Sequence, residues 1–220
     1  MILSHKIRLD PTARQEAYFR RACGTARFTY NWALAEWKRL YEAGEKPSGL
    51  GLQKAFNAIR AVEYPWTYEV HRNCTARPFV QLQRAFTGFF ANVKSGKKSG
   101  YPRFKRRGRH DAFYCANDRL AVNGLMVRIQ VLGWVRMREP LRFTGKIMSA
   151  TVSRQADRWF VAIQVDVGAV TRPRTADGIV GVDLGIKASA TLSTGEVIEG
   201  PRALRAGLDR LRRLSRVHSR

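Results

Sequence analysis

One carboxylate, Asp183, draws attention because it interrupts an otherwise apolar run. The run IVGVDLGI covers residues 179–186 and predicts a strand that is buried on both faces. An ionised carboxylate in such a strand carries a desolvation cost unless a partner compensates for it. A bound cation would be such a partner. Capping of the strand end, or pairing with Lys187, would serve as well, so the strand alone leaves these interpretations open.

Metal-dependent hydrolysis of a phosphodiester needs several carboxylates. Two Mg²⁺ ions hold the attacking and leaving oxygens, and each takes hard oxygen ligands in near-octahedral geometry. After Asp183 the sequence holds three further acids, Glu196, Glu199 and Asp209. We interpret all three as surface residues, because Glu196 falls at a predicted hairpin tip and Asp209 on an arginine-rich helix. The four histidines have no ligand spacing, so they predict no metal site.

Positive charge is the strongest signal in the composition. Lys and Arg number 40 against 17 acids in 220 residues, a formal net charge of +23, and 30 of these 40 cations are arginine. Eight cations and no acid fall within residues 94–109 (KSGKKSGYPRFKRRGR), which we predict to be a solvated connector. Four aromatic residues lie among or just after them: Tyr101, Phe104, Phe113 and Tyr114. This mixture favours binding of RNA or single-stranded DNA over a merely soluble loop.

Compartment and membrane relations follow from what the sequence lacks. No window reaches 18 uninterrupted apolar residues, and the start has no apolar segment followed by a small-residue cleavage site. The cysteines Cys23, Cys74 and Cys115 are odd in number and widely spaced, which favours reduced thiols. We therefore expect a cytoplasmic protein with no membrane partner. The sequence does not predict an oligomeric state.

The elements that must position these residues change character along the chain. Residues 2–9 alternate as a short strand, and four helices are then predicted across residues 10–94, with Gly24 ending the first. Asp10 before Pro11 and Thr12 with Gln15 are competing caps for that first helix.

From residue 113 the period becomes two, and short antiparallel strands are predicted, with a hairpin turn at Asn123-Gly124 and a polar turn over residues 155–158. Such strands close best as a small barrel, which residues 2–9 are expected to join. A third section follows, with three strands that begin at IVGVDLGI and a helix over residues 202–220. The predicted class is α+β multidomain: a helical block inserted in a β-barrel, followed by strands whose order around Asp183 resembles the first strands of an RNase H-like domain.

Four segments, taken together, carry a family resemblance: GTARFTYNWAL (24–34), AFTGFF (85–90), YPRFKRR (101–107) and GVDLGIKASATLSTGEVIEGP (181–201). With the alternating strands between them, they resemble TnpB, the transposon-encoded RNA-guided DNA endonuclease related to type V CRISPR effectors. The resemblance covers essentially the whole chain, with the segments in the right order.

This resemblance implies a division of the chain and a set of partners. It implies a first wedge strand at 1–9, a helical, helix-turn-helix-like recognition domain at 10–98, a wedge barrel at 99–172 and an incomplete RuvC nuclease domain at 173–220. Asp183 matches the first catalytic carboxylate and would be a ligand of Mg²⁺. Guide RNA and target DNA are the implied partners. The candidate nucleic-acid contacts are Arg27, Arg72, Lys97, Lys98, Arg103, Lys105, Arg106, Arg107, Arg109 and Lys187, of which Arg72 falls near where the family contacts its transposon-adjacent DNA motif.

The sequence also departs from the family pattern. Residues 74–81 read CTARPFVQ, where relatives usually carry a longer polar helix start. The family's second and third carboxylates and its CxxC zinc ribbon do not occur in the 220 residues. We therefore expect a truncated, inactive form of an insertion-sequence nuclease. A nuclease-deficient RNA- or DNA-binding regulator is one alternative. A generic basic RNA-binding protein is another, but it leaves GVDLGIKASATLS unexplained.

Overall fold

The chain forms two compact units, Met1–Val170 and Thr171–Arg220, in a computed structural model. The structure describes residues 1–169, 180–185, 188–200 and 203–218. Among the helices that lie in these ranges, none combines the length and the apolar character that crossing a bilayer requires.

A seven-stranded antiparallel sheet forms one half of the first unit, in the order β2-β6-β7-β1-β5-β4-β3. Its strands are β1 (Ile2–Asp10), β2 (Ala112–Ala116), β3 (Ala121–Asn123), β4 (Met126–Ile129), β5 (Gly133–Met137), β6 (Lys146–Gln155) and β7 (Arg158–Asp166). The first strand lies in the middle, pairing with β7 along residues 2–8 and with β5 through Leu9 and Asp10. The helices are therefore inserted between two strands of one sheet. This agrees with the expectation that residues 2–9 pair with the later strands.

Both predicted turns are found in the strand register, the first of them one residue later than predicted. Asn123 pairs with Met126 across a two-residue turn, in which Gly124 has a φ of 53°. Gln155 pairs with Arg158 in the same way. The edge strands of the sheet are β2 and β3. Side chains from β2 and from β4, which is the neighbour of β3, nevertheless pack in one shared core. The seven described strands do not close by pairing β2 with β3, so the barrel stays a prediction.

The helices of the first unit differ from the prediction in number. They are α1 (Ala13–Glu42), α2 (Gly49–Glu63) and α3 (Asn73–Lys94), with a short 3-10 helix over Pro65–Glu69. The prediction that Gly24 ends the first helix is wrong, because apolar side chains pack against the interior on both sides of it and α1 runs through. Gly44, with a φ of 83°, supplies the left-handed conformation just past the end. Of the two competing caps, Thr12 with Gln15 forms the capping box.

The 30-residue helix α1 joins two cores. Its first half contributes Tyr18, Phe19 and Ala22 to the sheet core. Its second half packs with α2 and α3 in a helical core, where the ring of Trp37 stacks on Phe86 with centroids 4.2 Å apart. Full burial of each such side chain contributes about 1.5–3 kcal/mol, so the two cores fix α1 firmly between sheet and helices.

The second unit is small. Strands β8 (Val182–Asp183), β9 (Ala190–Leu192) and β10 (Val197–Ile198) form an antiparallel sheet in the order β10-β9-β8, and α4 covers Ala203–His218. The prediction of a buried strand over residues 179–186 is wrong for its described part: β8 has two residues, and Val182 and Leu184 are 58% and 77% exposed. The strand is exposed because the described part of this unit has no apolar layer packed on it; Ala190 is the one buried apolar side chain there.

Candidate nucleic-acid interface

The basic connector, residues 94–109, is seated on α1 by one side-chain amide. The Asn31 amide nitrogen donates to the Lys105 carbonyl at 2.9 Å, and the Lys105 amide donates back to the Asn31 Oδ1 at 2.7 Å. The amide thus pairs with the connector backbone much as a neighbouring strand would. This fixes the middle of the connector against the helix, although the connector has no helix or strand of its own between α3 and β2.

Lys105 is the anchor of this segment rather than a free cation. Its ammonium lies 4.3 Å from the centre of the Tyr30 ring and donates to the Gln81 Oε1 at 3.1 Å. Partial desolvation of the ammonium between these two groups lowers the pKa of Lys105, although the residue as a whole stays exposed. Of the predicted nucleic-acid contacts, this one therefore has a structural role that the charge pattern does not indicate.

A second anchor holds the end of the connector. Arg27 on α1 donates to Asp111 at 2.8 Å, with both side chains largely covered, and the backbone amide of Gly108 donates to the other carboxylate oxygen at 3.1 Å. The left-handed backbone at Gly108, with a φ of 77°, makes this approach possible. The guanidinium of Arg27 is thus engaged within the fold, and its contact with phosphate stays a prediction.

The aromatic residues of the connector region divide into two groups. Phe104 is 55% exposed and Tyr101 is 42% exposed, with the Tyr101 ring set edge-on against Phe86 at 5.3 Å. Phe113 is buried in the sheet core, so the expectation that it offers a stacking surface is wrong. Tyr114 is covered by the Arg77 guanidinium at 4.2 Å. Two rings, Tyr101 and Phe104, remain available for stacking with bases.

These rings line an open groove of about 910 Å³ between α1 and the connector. Its cationic lining comes from Lys38, Arg103, Lys105, Arg106 and Arg109. Apart from Lys105, six of the predicted contacts are exposed and form no ion pair within the described part of the chain: Lys97, Lys98, Arg103, Arg106, Arg107 and Arg109. Uncompensated cations along one segment raise the local concentration of polyanions, and the exposed rings beside them suit unstacked bases.

Arg72 and Lys187 complete the predicted contacts. Arg72 is the residue before α3, and its exposed guanidinium donates to Asp118 at 3.1 Å. It therefore lies on the first unit but outside the groove lining. Lys187 lies outside the described residues.

Asp183 is exposed, against the expectation of a desolvated carboxylate. It pairs with Thr191 in the short antiparallel ladder of β8 and β9. Among the described residues, no three His, Cys, Asp or Glu side chains come together in a way that would hold a metal ion. The described residues therefore do not fit a Mg²⁺ site by themselves, and Asp183 offers one ligand of the several that Mg²⁺ needs.

The seating of the connector is the feature that sequence reasoning missed. Asn31 is recognisable as a polar residue in GTARFTYN, but its partner is 74 residues away in the chain. Charge runs indicate where cations are concentrated, but they do not show which of these cations form hydrogen bonds or ion pairs within the fold.

The fold and this groove define a class: a folded cationic α+β protein whose connector presents cations and aromatic rings. Comparison with known proteins agrees with that class and assigns the chain a narrower set of relatives. Residues 1–46 match the helix-turn-helix domain family HTH_OrfB_IS605. In the structure these residues hold β1 and α1, and the second helix begins only at Gly49.

The matching relatives indicate the family more specifically than the domain match does. The chain is 33% identical over 218 residues to the "Putative RNA-guided DNA endonuclease InsQ" of Escherichia coli (strain K12), covering 98% of this chain and 53% of InsQ. It is 32% identical over 222 residues to a "Putative RNA-guided DNA endonuclease" of Streptomyces pristinaespiralis, covering 98% of this chain and 54% of that protein. The resemblance to the TnpB family is thereby confirmed.

The chain spans about half the length of the curated relatives it matches. Among solved structures, a chain from the cryo-EM structure of the Cas12f1-sgRNA-target DNA complex aligns over 100% of this chain and 62% of its own length, at 15% identity and a TM-score of 0.36.

Proposed function

We propose that this chain binds RNA and DNA through the groove and connector of its first unit, as the nucleic-acid-binding part of a TnpB-like guide complex. The observation that carries the proposal is the connector itself, held by Asn31 and Arg27, with six exposed cations lacking acidic partners in the described part of the chain. A merely soluble loop would not need two anchors on a helix. Guide RNA and target DNA are the proposed partners, in keeping with the names of the relatives.

The division into recognition, wedge and RuvC domains belongs to the same proposal. The helices α1–α3 would form the recognition part, the seven-stranded sheet the wedge, and the unit that holds Asp183 the start of the nuclease. Asp183 would supply one ligand of a Mg²⁺ site that the described residues do not complete. Because no three ligating side chains come together among the described residues, we propose that the 220-residue chain binds nucleic acid without cleaving it.

Salt dependence tests the binding step. Affinity for single-stranded RNA is measured across salt concentrations for the chain and for a triple variant, Arg103→Gln, Arg106→Gln and Arg107→Gln. Each phosphate contact contributes about 0.7 to the slope of log affinity against log salt, so the triple variant should flatten it by about 2. The matched control removes three exposed cations outside the groove lining: Lys46→Gln, Lys54→Gln and Arg84→Gln. Equal slopes for the two triple variants would refute the assignment.

Cleavage is tested separately. Purified chain with guide RNA, target DNA and Mg²⁺ should leave the DNA intact, and Asp183→Ala should leave RNA affinity unchanged. Mg²⁺-dependent cleavage that Asp183→Ala abolishes would show that the chain is an active nuclease and that the binding-only proposal is wrong.

A further inference from the structure

The solvent face of β4 and β5 carries an exposed ring beside two arginines, apart from the groove. Trp134 on β5 lies directly opposite Arg128 on β4, and Arg136 follows two residues along β5. All three side chains are exposed, whereas Val127 and Val135, which alternate with them, are buried in the sheet core. We call these three residues the Trp134 face; none of them lines the groove.

The two arginines of this face are not neutralised by acids. Within the described part of the chain, neither Arg128 nor Arg136 belongs to an ion pair. Asp10 lies opposite Arg136 on β1, but its carboxylate is bonded to Arg138 at 3.0 Å. The face therefore attracts anions, and the guanidinium groups suit phosphate in particular.

The ring of Trp134 is open to solvent while its backbone is fixed. The residue is 42% exposed, and no other ring or cation of the described chain stacks on it. Its carbonyl accepts a hydrogen bond at 2.9 Å from the side-chain amide of Gln15, the residue that also closes the capping box of α1. The start of α1 thus holds the strand that presents the ring, so a partner that stacks there has little to order.

The surroundings of Trp134 distinguish between kinds of partner. A protein partner needs a contiguous apolar surface, but Arg128 across the strands and Arg136 along the same strand face are both charged. A duplex uses the arginines and not the ring, because its bases stack on one another. Single-stranded RNA uses both, since unstacked bases in loops, bulges and ends stack on aromatic side chains while cations contact the phosphates.

We infer that the Trp134 face is a second binding surface for single-stranded RNA, on which one unpaired base stacks on Trp134 while Arg128 and Arg136 contact the phosphates beside it. The inference rests on the proposed nucleic-acid binding and adds to it a surface apart from the groove and the connector. Charge runs do not indicate this surface, because its residues alternate with buried ones along two strands.

The experiment uses the full chain and measures affinity at low salt for single-stranded RNA, for an RNA duplex of the same length and for single-stranded DNA. Trp134→Thr removes the ring and keeps a β-branched residue that suits a strand. It should weaken binding of single-stranded RNA by about tenfold, within the range of one base–aromatic stack, and leave duplex affinity unchanged. Trp134→Phe keeps a ring and should stay within about threefold of the parent chain.

Salt dependence separates stacking from charge. Trp134→Thr removes no charge, so the slope of log affinity against log salt should stay the same. Arg128→Gln combined with Arg136→Gln keeps the ring and should flatten the slope by about 1.4. Added to the connector triple variant, Trp134→Thr should cause the same fold loss as in the parent chain, because the two surfaces are separate.

Trp66→Thr is the matched control, since Trp66 is also 42% exposed but lies on the 3-10 helix between α2 and α3. It should leave the affinity for single-stranded RNA at the parent value, and thermal midpoints of both threonine variants show that each is folded. Unchanged affinity for single-stranded RNA in Trp134→Thr, or an equal loss for the duplex, would overturn the inference. A loss that appears with single-stranded DNA but not with RNA would overturn it too. If the parent chain itself did not bind RNA at low salt, the proposed function would be wrong instead.

Discussion

The contacts that a single charged side chain forms in this protein cannot be predicted from its neighbours in the sequence. The run at 94–109 predicts where cations are concentrated, and all eight of them are exposed. Lys105 and Arg27 belong to the same predicted set, yet one rests on Tyr30 and the other on Asp111. Pairing depends on residues far away in the chain, so composition and charge patterns cannot assign it.

Asp183 was predicted to be desolvated, but it is exposed. A carboxylate in an apolar run predicts burial only if other elements cover the strand, and the described part of the second unit provides no such cover. Hydrophobic pattern indicates which face would be buried, not whether a partner surface is present.

His71 is the residue for which pH should matter most. It is 4% exposed, and its Nδ1 accepts a hydrogen bond from the Asn73 amide at 3.2 Å, which only the unprotonated nitrogen can do. Burial lowers the pKa of His71 below its usual 6.5; the nearby Asp118 opposes this shift and Arg72 adds to it. Because the unfolded chain binds the proton more readily, stability is fully present above pH 6.5 and falls as pH decreases through and below that value.

Thermal midpoints measured from pH 7.5 to 5.5 check this expectation. The parent chain should lose stability over that range, and His71→Gln should lose less, since its side chain has no proton to gain. The surface variant His110→Gln serves as the control and should follow the parent. A parent curve that stays level between these pH values would show that His71 is not the controlling group.

At the scale of elements, periodicity predicted strands better than helix ends. The alternation in residues 113–167 is confirmed and both hairpin turns are found, because a turn residue such as Gly124 is required by local backbone geometry. Gly24 satisfies the same sequence rule for a helix end but lies inside α1. A glycine stops a helix only when nothing beyond it packs, and here Tyr30, Leu34 and Trp37 continue the buried stripe.

The middle of the connector is held by the Asn31 side chain, while Arg27 and Asp111 hold its end, so Asn31→Ala tests the middle anchor by itself. It removes both hydrogen bonds to Lys105, at about 1 kcal/mol each, and should free the middle of the connector from α1. Affinity for single-stranded RNA should fall a few-fold because the cations must then be ordered on binding, while the salt slope stays the same because no charge is removed.

The control for this change is Asn57→Ala, which alters an exposed asparagine on α2. Protease digestion gives an independent measure: the connector, rich in lysine and arginine, should be cut by trypsin faster in Asn31→Ala than in either the parent or the control. Identical cleavage rates would mean that Arg27 and Asp111 alone hold the segment.

For the whole molecule, the sequence indicates a change of character near residue 170, and the boundary between the two compact units falls at that point of the chain. What sequence could not indicate is how unequally the packing is divided. Both hydrophobic clusters lie entirely within Met1–Val170, whereas the apolar side chains of α4, such as Leu204 and Leu211, are 79% and 63% exposed. The hydrophobic stabilisation of the described chain therefore resides almost wholly in its first unit.

This inequality predicts the behaviour of a chain that ends at residue 170. It keeps both cores, the connector anchors and the groove, so it should unfold cooperatively with a thermal midpoint within a few degrees of that of the 220-residue chain and should retain its affinity for single-stranded RNA at low salt. Residues 171–220 alone should give no cooperative transition, because the described residues there bury one apolar side chain, and exposed leucines should favour association at higher concentration. Calorimetry and sedimentation of the two pieces decide the matter: a sharp, monomeric transition in residues 171–220, or loss of folding in residues 1–170, would mean that the stability of this protein is shared in a way that its burial pattern does not show.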